Sequence, residues 1–259
     1  MRQLQDDSAG RQGVGFVPGG SGGPGSAVPV MLAERGADVA FSYRSNADAA
    51  ATVSDEIRAA GKQAIFHQID AFDPEMAQAV ATDAESNGGV HNVIHAARPI
   101  IAQVHLSRID LELLRSQMEA GICGFFNVVQ PALEYPRESA GQLSQLRRRQ
   151  PGGNPARDGL SPAGKGAVEL FVWGPAAEEG RFGVRANGVG LAMTNAGMAK
   201  KLDESGDPTE KEHAAAIRNT PLPTFGTATD VAEARCFLAS PRVAHISGQH
   251  LAVDGGYGS

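Results

Sequence analysis

Short apolar runs alternate with helically spaced segments along most of the chain, which predicts strands joined by crossover helices in a parallel sheet. Val14 to Val17 is the first strand candidate, followed by a glycine-rich turn and a helix ending near Arg35-Gly36. Asp38 to Tyr43 reads as a second strand. Ala47 to Ala60 has helical spacing and stops at Gly61, a residue suited to the left-handed terminus of a helix. Ala64 to Ile69 is a third strand, Pro74 to Asn87 a helix, Val90 to Ala96 a fourth strand and Asp110 to Ala132 a long helix. Gln142 to Leu146 makes a poor fifth strand, because Gln, Ser and Gln fall where a buried central strand is apolar. Lys165 to Glu179 has a helical pattern that Gly174-Pro175 should break or kink. Val184 to Val189 is a sixth strand, Met193 to Thr220 a polar flap, Asp230 to Leu238 a last helix and Ile246 to Val253 a seventh strand.

About seven strands with helices on both faces make an α/β, doubly wound sheet. Its ligand crevice is expected at the carboxyl ends of the strands, where the winding reverses. No repeat divides the chain, and residues 1–259 suit a single domain with 193–220 as a flap on the substrate side. Prolines conflict with this plan. Pro29 lies inside the predicted first helix, where a missing N–H and a ring clash cost ~3 kcal/mol or more. Its replacement by Ala is therefore expected to raise the melting temperature. Pro18 stands where an N–H or hydroxyl would help the turn, whereas Pro24 at a first turn removes a bond that is absent anyway.

Composition narrows the partners. A formal net charge of -6 with both signs scattered argues against a nucleic-acid surface. The basic cluster Arg147, Arg148 and Arg149 reads as a solvated strand or loop edge. Hydrophobic residues at 42% suffice for a large core, and a mean hydropathy of -0.21 gives no sign of general disorder. Cys123 and Cys236 are too few for a disulfide framework and lack metal-ligand spacing, so no metal is expected and a reducing, cytoplasmic setting fits. Met1 to Gln12 is polar, and no apolar run is long enough to span a bilayer.

The glycine run Gly19-Gly20-Ser21-Gly22-Gly23-Pro24-Gly25 directly follows the first strand and opens the first helix. Glycines there permit a tight turn and close approach of backbone to a pyrophosphate, and the helix N-terminus favours the anion. A flexible loop is the plain alternative; the strand-turn-helix context favours a nucleotide site. Gly19-x-x-x-Gly23-x-Gly25 resembles the TGxxxGxG turn of the short-chain dehydrogenases/reductases, with Pro18 in place of Thr. Leu32-Ala33-Glu34-Arg35-Gly36-Ala37-Asp38-Val39, Ile69-Asp70-Ala71, Arg185-Ala186-Asn187 and Phe237-Leu238-Ala239-Ser240 resemble further segments of that family. So does the C-terminal stretch Ser247-Gly248-Gln249 to Val253-Asp254-Gly255-Gly256. The resemblance covers nearly the whole chain and implies a Rossmann-like fold that binds a nicotinamide dinucleotide. It also implies roles for Gly19, Ser21, Gly23 and Gly25 at the phosphates, for Asp70 and Ala71 at the adenine and for Ala96 after the fourth strand. A homo-oligomer, dimer or tetramer, through the long helices is implied as well.

Cofactor choice turns on the end of the second strand. Phe41-Ser42-Tyr43-Arg44-Ser45-Asn46 carries no acid to bind a ribose 2′-hydroxyl. Arg44, with Ser45 beside it, can pair with a 2′-phosphate, which favours NADP(H) over NAD(H). The alternative for Arg44 is an exposed charge leading a helix.

The family's catalytic Tyr-x-x-x-Lys aligns on Ser161 and Lys165, so the lysine is retained and the tyrosine is not. The longer Tyr-x6-Lys spacing of enoyl reductases falls on Asp158. The carbonyl-binding serine falls at Arg147 or Arg148, the relay asparagine at Gly121, and the NNAG element reads His95-Ala96-Ala97-Arg98. Tyr43, Tyr135 and Tyr257 all lie away from the motif. Ser161 and Lys165 could form a serine–lysine pair or an inert serine beside a ribose-binding lysine. His95 could be an acid or base near neutral pH, or a histidine satisfied by backbone or phosphate. Two functions follow: an NADP(H)-dependent oxidoreductase acting on a carbonyl or enoyl (for example an acyl thioester) substrate, resembling 3-oxoacyl-carrier-protein and enoyl reductases, or a catalytically silent nucleotide-binding or partner-subunit protein.

Overall fold

Alternate residues of an extended chain face opposite ways, so a strand buried on both faces must be apolar or hydrogen-bonded at nearly every position. The computed structural model, which describes residues 7–97, 99, 101–102, 104–133, 142–148, 157–191, 194, 217–218 and 220–257, shows this at Val14–Val17, whereas His91 and Asn92 in a neighbouring strand are buried with no side-chain hydrogen-bond partner among the described residues. The strands are β1 (Val14–Val17), β2 (Asp38–Tyr43), β3 (Ala64–Gln68), β4 (Val90–His95), β5 (Gln142–Arg148), β6 (Arg185–Leu191) and β7 (His250–Val253). They form one seven-stranded sheet in the order β3-β2-β1-β4-β5-β6-β7. Every ladder is parallel. All residues of β1, β4 and β6 are buried. Because β1 pairs with both β2 and β4, the winding reverses between β1 and β4.

Eight helices cover the two faces among the described residues: α1 (Ala27–Glu34), α2 (Ala47–Ala59), α3 (Glu75–Asn87), α4 (Leu111–Met118), α5 (Gly124–Ala132), α6 (Leu160–Phe171), α7 (Trp173–Glu178) and α8 (Ala228–Ala239). On one face Phe16 and Val93 join Val80 of α3, Val128 of α5 and Val168 of α6. On the other, Val17, Phe41 and Ile94 join Leu32 of α1, Ile57 of α2 and Cys236 of α8. Local signals start several helices. Asn46 accepts from the Ala49 amide at α2, and Asp110 accepts from the Leu113 amide at α4. At α8, Thr227 and Asp230 form a capping box in which each accepts the other's backbone N–H, at 3.1 and 2.8 Å. None of the described helices is long and apolar enough to cross a membrane.

Several sequence expectations are corrected. Pro29 is the third residue of α1, because a 3₁₀ turn, Gly23–Gly25, and Ser26 precede the helix. The amide it lacks is one that a first turn leaves unbonded, so the expected destabilisation, and the gain from replacing Pro29, lose their basis. Pro18 also costs the turn little: its carbonyl accepts from Ala96 N (2.9 Å), and the Ser42 hydroxyl accepts from Gly19 N (3.1 Å). The segment Asp110 to Ala132 is α4 and α5 joined by a π turn, Glu119–Cys123. The helix containing Lys165 starts earlier, at Leu160, and divides at Val172, with Pro175 third in α7. β5 takes a central place despite its polar sequence, and extends through Arg147 and Arg148, in register with Gly190 and Leu191. Most of the proposed flap, together with Arg98, Tyr135 and Arg149, lies outside the described residues.

The polar exceptions in β4 set an acid limit on stability. His91 is fully buried, and neither ring nitrogen has a hydrogen-bond partner among the described residues. Burial first, and then the charge of Arg11, push its pKa down to about 3. His95 is likewise pushed down to about 3, by burial and then by Arg235. Both take up protons near pH 6.5 only when unfolded. Between about pH 6.5 and 3 the unfolded state therefore binds more protons, and stability falls as pH falls, by up to ~1.4 kcal/mol per pH unit for each histidine. His67 acts oppositely: its hydrogen bond to Asp83 raises its pKa, a contribution present below pH 6.5 and lost above the folded value. Urea midpoints at pH 7.5 and 5.0 are expected to differ, and His91→Leu should shrink the difference. An unchanged midpoint across this range in the unmutated protein contradicts the account.

Candidate active site

Several glycines of the loop after β1 stand where a side chain would not fit. Gly19 and Gly23 adopt φ of 72° and 48°, in the left-handed region that glycine tolerates. A Cβ on Gly19 would stand 2.7 Å from the Ala97 Cα, and one on Gly25 would stand 3.0 Å from the Ala96 Cβ. The turn therefore lies flush on the residues that follow β4. Among the described residues a Cβ at Gly22 would meet only the Gly19 carbonyl oxygen, at 3.9 Å, so that side of the turn is open with respect to them. This arrangement admits a phosphate against backbone, as a dinucleotide requires. Within the turn Gly20 N donates to Val17 O, Gly25 N to Gly22 O and Ser26 N to Gly23 O. The Ser42 hydroxyl that receives Gly19 N escaped the sequence reading, although a lone hydroxyl in the apolar run of β2 was the available signal.

At the neighbouring strand tips, Arg44 Nη1 lies 3.9 Å from Asp70 Oδ2, with side-chain exposures of 53% and 38%. An ion pair this exposed is weak, so the guanidinium is not committed to it. Asp70 Oδ1 also accepts from Phe72 N at 3.2 Å, which orients the carboxylate after β3. Ser45 is exposed beside Arg44, and Ala71 and Ala96 are buried. Ser21 is half-buried in the glycine turn. The structure thus gathers two groups: the glycine turn with Ala96, and Arg44 with Asp70.

A third group lies on α6. Ser161, the second residue of the helix, is 2% exposed. Lys165 follows one turn later on the same face and donates from Nζ to Ser161 Oγ. A Cβ on Gly121, in the π turn, would stand 3.8 Å from the Gly164 Cα, which sets that turn beside the lysine segment. Asp158 is buried, and the Ser161 amide donates to its carbonyl at 3.3 Å. His95 ends β4 edge-on to Phe125, with ring centroids 5.2 Å apart. Burial, and then the charge of Arg235, push its pKa down to about 3, which favours the neutral ring at ordinary pH.

A parallel doubly wound sheet, a glycine-rich turn at its reversal and a lysine helix beyond it define the class: the chain belongs to the short-chain dehydrogenase/reductase family. The family model described as enoyl-(acyl carrier protein) reductase matches residues 21–258. Among curated relatives, the A-factor type gamma-butyrolactone 1′-reductase (1S-forming) of Streptomyces virginiae is 29% identical over 248 residues, 94% of this chain and 95% of that one. The 3-oxoacyl-(acyl-carrier-protein) reductase of Staphylococcus aureus strain N315 is 27% identical over 243 residues, 93% of this chain and 96% of that one. A blue fluorescent protein from a metagenomic library, solved in complex with NADPH, superposes with a TM-score of 0.86 at 28% identity, covering 98% of this chain and 100% of that one. The short-chain dehydrogenase/reductase of Serratia marcescens shares the fold with a TM-score of 0.85 at 23% identity, over 97% and 99% of the two chains.

The two glycine environments make a paired test of the turn. Gly19→Ala places a Cβ into the Ala97 backbone at positive φ, a strain on the order of 1–3 kcal/mol, and should lower the melting temperature by several degrees. Gly22→Ala meets open space at φ -111° and ψ 130°, and should leave the melting temperature nearly unchanged. Differential scanning fluorimetry compares them; equal losses, or none in either, refute the packing described.

Proposed function

We propose that the chain is an oxidoreductase that binds NADP(H) and transfers hydride to or from a carbonyl or enoyl substrate. The observation that carries this reading is the glycine-rich turn resting on the residues that follow β4, with Arg44 just after β2, the strand on the other side of β1. The open side at Gly22 suits the pyrophosphate, and Arg44 suits a 2′-phosphate through its planar fork. Asp70 and Ala71 would border the adenine, and Lys165 would hold ribose hydroxyls. When bound, the dinucleotide supplies or accepts the hydride. Within the chain, the Ser161 hydroxyl, held by Lys165, is the group offered for proton transfer. A serine is a far weaker donor than a phenol, and general acid–base catalysis contributes ~10²–10⁴-fold, so turnover is expected to be slow.

One observation favours a second reading, in which the protein holds the dinucleotide without turnover: Ser161 is almost fully covered. We also propose a homo-oligomer. Leu111, Leu114, Phe126, Leu170 and Trp173 expose apolar surface on α4 through α7, more than isolated surface residues account for.

Fluorescence titration with NADPH and NADH, followed by assays on ketones and enoyl thioesters, separates these readings. NADPH should bind more tightly, and Arg44→Asp should weaken it about ten- to a hundredfold while affecting NADH less. Equal affinity for the two cofactors in the unmutated protein would sink the preference. Lys165→Ala should weaken NADPH, whereas Ser161→Ala should leave its affinity nearly unchanged. Turnover that Ser161→Ala abolishes makes Ser161 the proton donor; binding without turnover selects the second reading.

A further inference from the structure

α8 buries Val231, Ala232, Ala234, Arg235, Cys236, Leu238 and Ala239, and of these only Arg235 is charged. Its side chain is fully buried. Around it, Ala232, Cys236 and Ala239 pack with Val17 at the end of β1 and with Ile94 and Ala96 at the end of β4. Burying a guanidinium is costly, and an apolar side chain of similar volume fills such a space at least as favourably. What the arginine adds is directed hydrogen bonding. Its Nη2 donates to the carbonyl oxygen of His95 at 3.2 Å, the last residue of β4. The next residue, Ala96, donates its N–H to Pro18 O at 2.9 Å. Ala97 then lies so close to Gly19 that a Cβ there would come within 2.7 Å of its Cα. α8 also packs against the 3₁₀ turn Gly23–Gly25 and against α1.

These contacts form one chain of constraint, from Arg235 through the His95 carbonyl and Ala96-Ala97 to the glycine turn. We propose that Arg235 is a positioning residue for dinucleotide binding: it fixes the tip of β4 as the floor on which the pyrophosphate-binding turn closes. The inference rests on the NADP(H) reading above. Arg235 acts through the backbone and touches no reacting atom. Losing it lets the strand tip move, so the turn samples geometries in which its open side no longer matches a pyrophosphate.

The test uses the full chain with Arg235→Met, which keeps length and loses the donors, and Arg235→Lys, which keeps charge and a single donor group. Hydrogen exchange without ligand should be faster at the amides of Ala96, Ala97 and the 19–25 turn in Arg235→Met. NADPH should bind about tenfold more weakly, while adenosine 2′-monophosphate, which lacks the pyrophosphate, should lose less than about twofold. Arg235→Lys should recover part of both losses. Should Arg235→Met fail to fold, the same measurements on Arg235→Lys are expected to show the same pattern, reduced in size. Unchanged exchange and NADPH affinity in a folded variant overturn the proposal. So do equal losses for both ligands, which indicate a general loosening of the fold. If the unmutated protein binds no NADPH, the functional reading falls, and the exchange comparison still decides whether Arg235 holds the strand tip.

Discussion

Two stretches of backbone meet where the winding of the sheet reverses, and the site depends on how closely they approach. The loop leaving β1 rests on Ala96-Ala97, with no room for a Cβ at Gly19 and little at Gly25. Short side chains on both sides let the chain pack backbone to backbone. Hydrogen bonds from Ala96 to Pro18 and from Gly19 to Ser42 then fix the separation. A cradle for an anion can be formed by main chain only if the main chain itself cannot drift, and neighbouring elements here supply that restraint.

Similar logic governs the other end of the sheet, where polar side chains reinforce the regular pairing of β6 with β7. Arg185 of β6 donates to the carbonyls of Leu238, Ser240 and Ile246, satisfying groups at the end of α8 and along the approach to β7. Asn187 both donates to Ile246 O and accepts from Gln249 N. The Ser247 hydroxyl accepts from Ala186 N, and Gly248 N donates to Ala186 O. The sequence Ser247-Gly248-Gln249 thus has a mechanical meaning: it is the segment through which the last strand is laid beside β6.

Much of this was legible in residue order. Short apolar stretches marked six of the seven strands, including β3 and β7, which are only partly buried, and β4, whose run is broken by His91 and Asn92. β5 did not stand out, because Gln142, Ser144 and Gln145 interrupt its apolar run, and its place came only from pairing with β4 and β6. Strand order has no local signature at all. Pro29 misleads because the glycine turn does not itself start the helix; three residues of 3₁₀ geometry and a linking serine come first and put Pro29 in the first turn. Among the candidate site residues, spacing or resemblance points to Gly19, Gly25, Arg44, Asp70, Ser161 and Lys165. Neither points to Ser42 or Arg235, since each acts through a contact with backbone distant in sequence.

The π turn between α4 and α5 has an evolutionary corollary. Such a turn holds one residue more than a regular helix needs, and each residue advances a helix by about 100°. Phe125, Val128, Val129 and Ala132 all face the core downstream of it. The wider turn takes up that extra residue, so the helix resumes beyond it with the same face toward the core; with every residue kept and forced into regular α geometry, that apolar face would swing by about 100° toward solvent. Loss of one residue among 119–123 would instead close the turn into a regular helix and leave the face in place. In this segment a change of length by one residue is the change the fold can absorb.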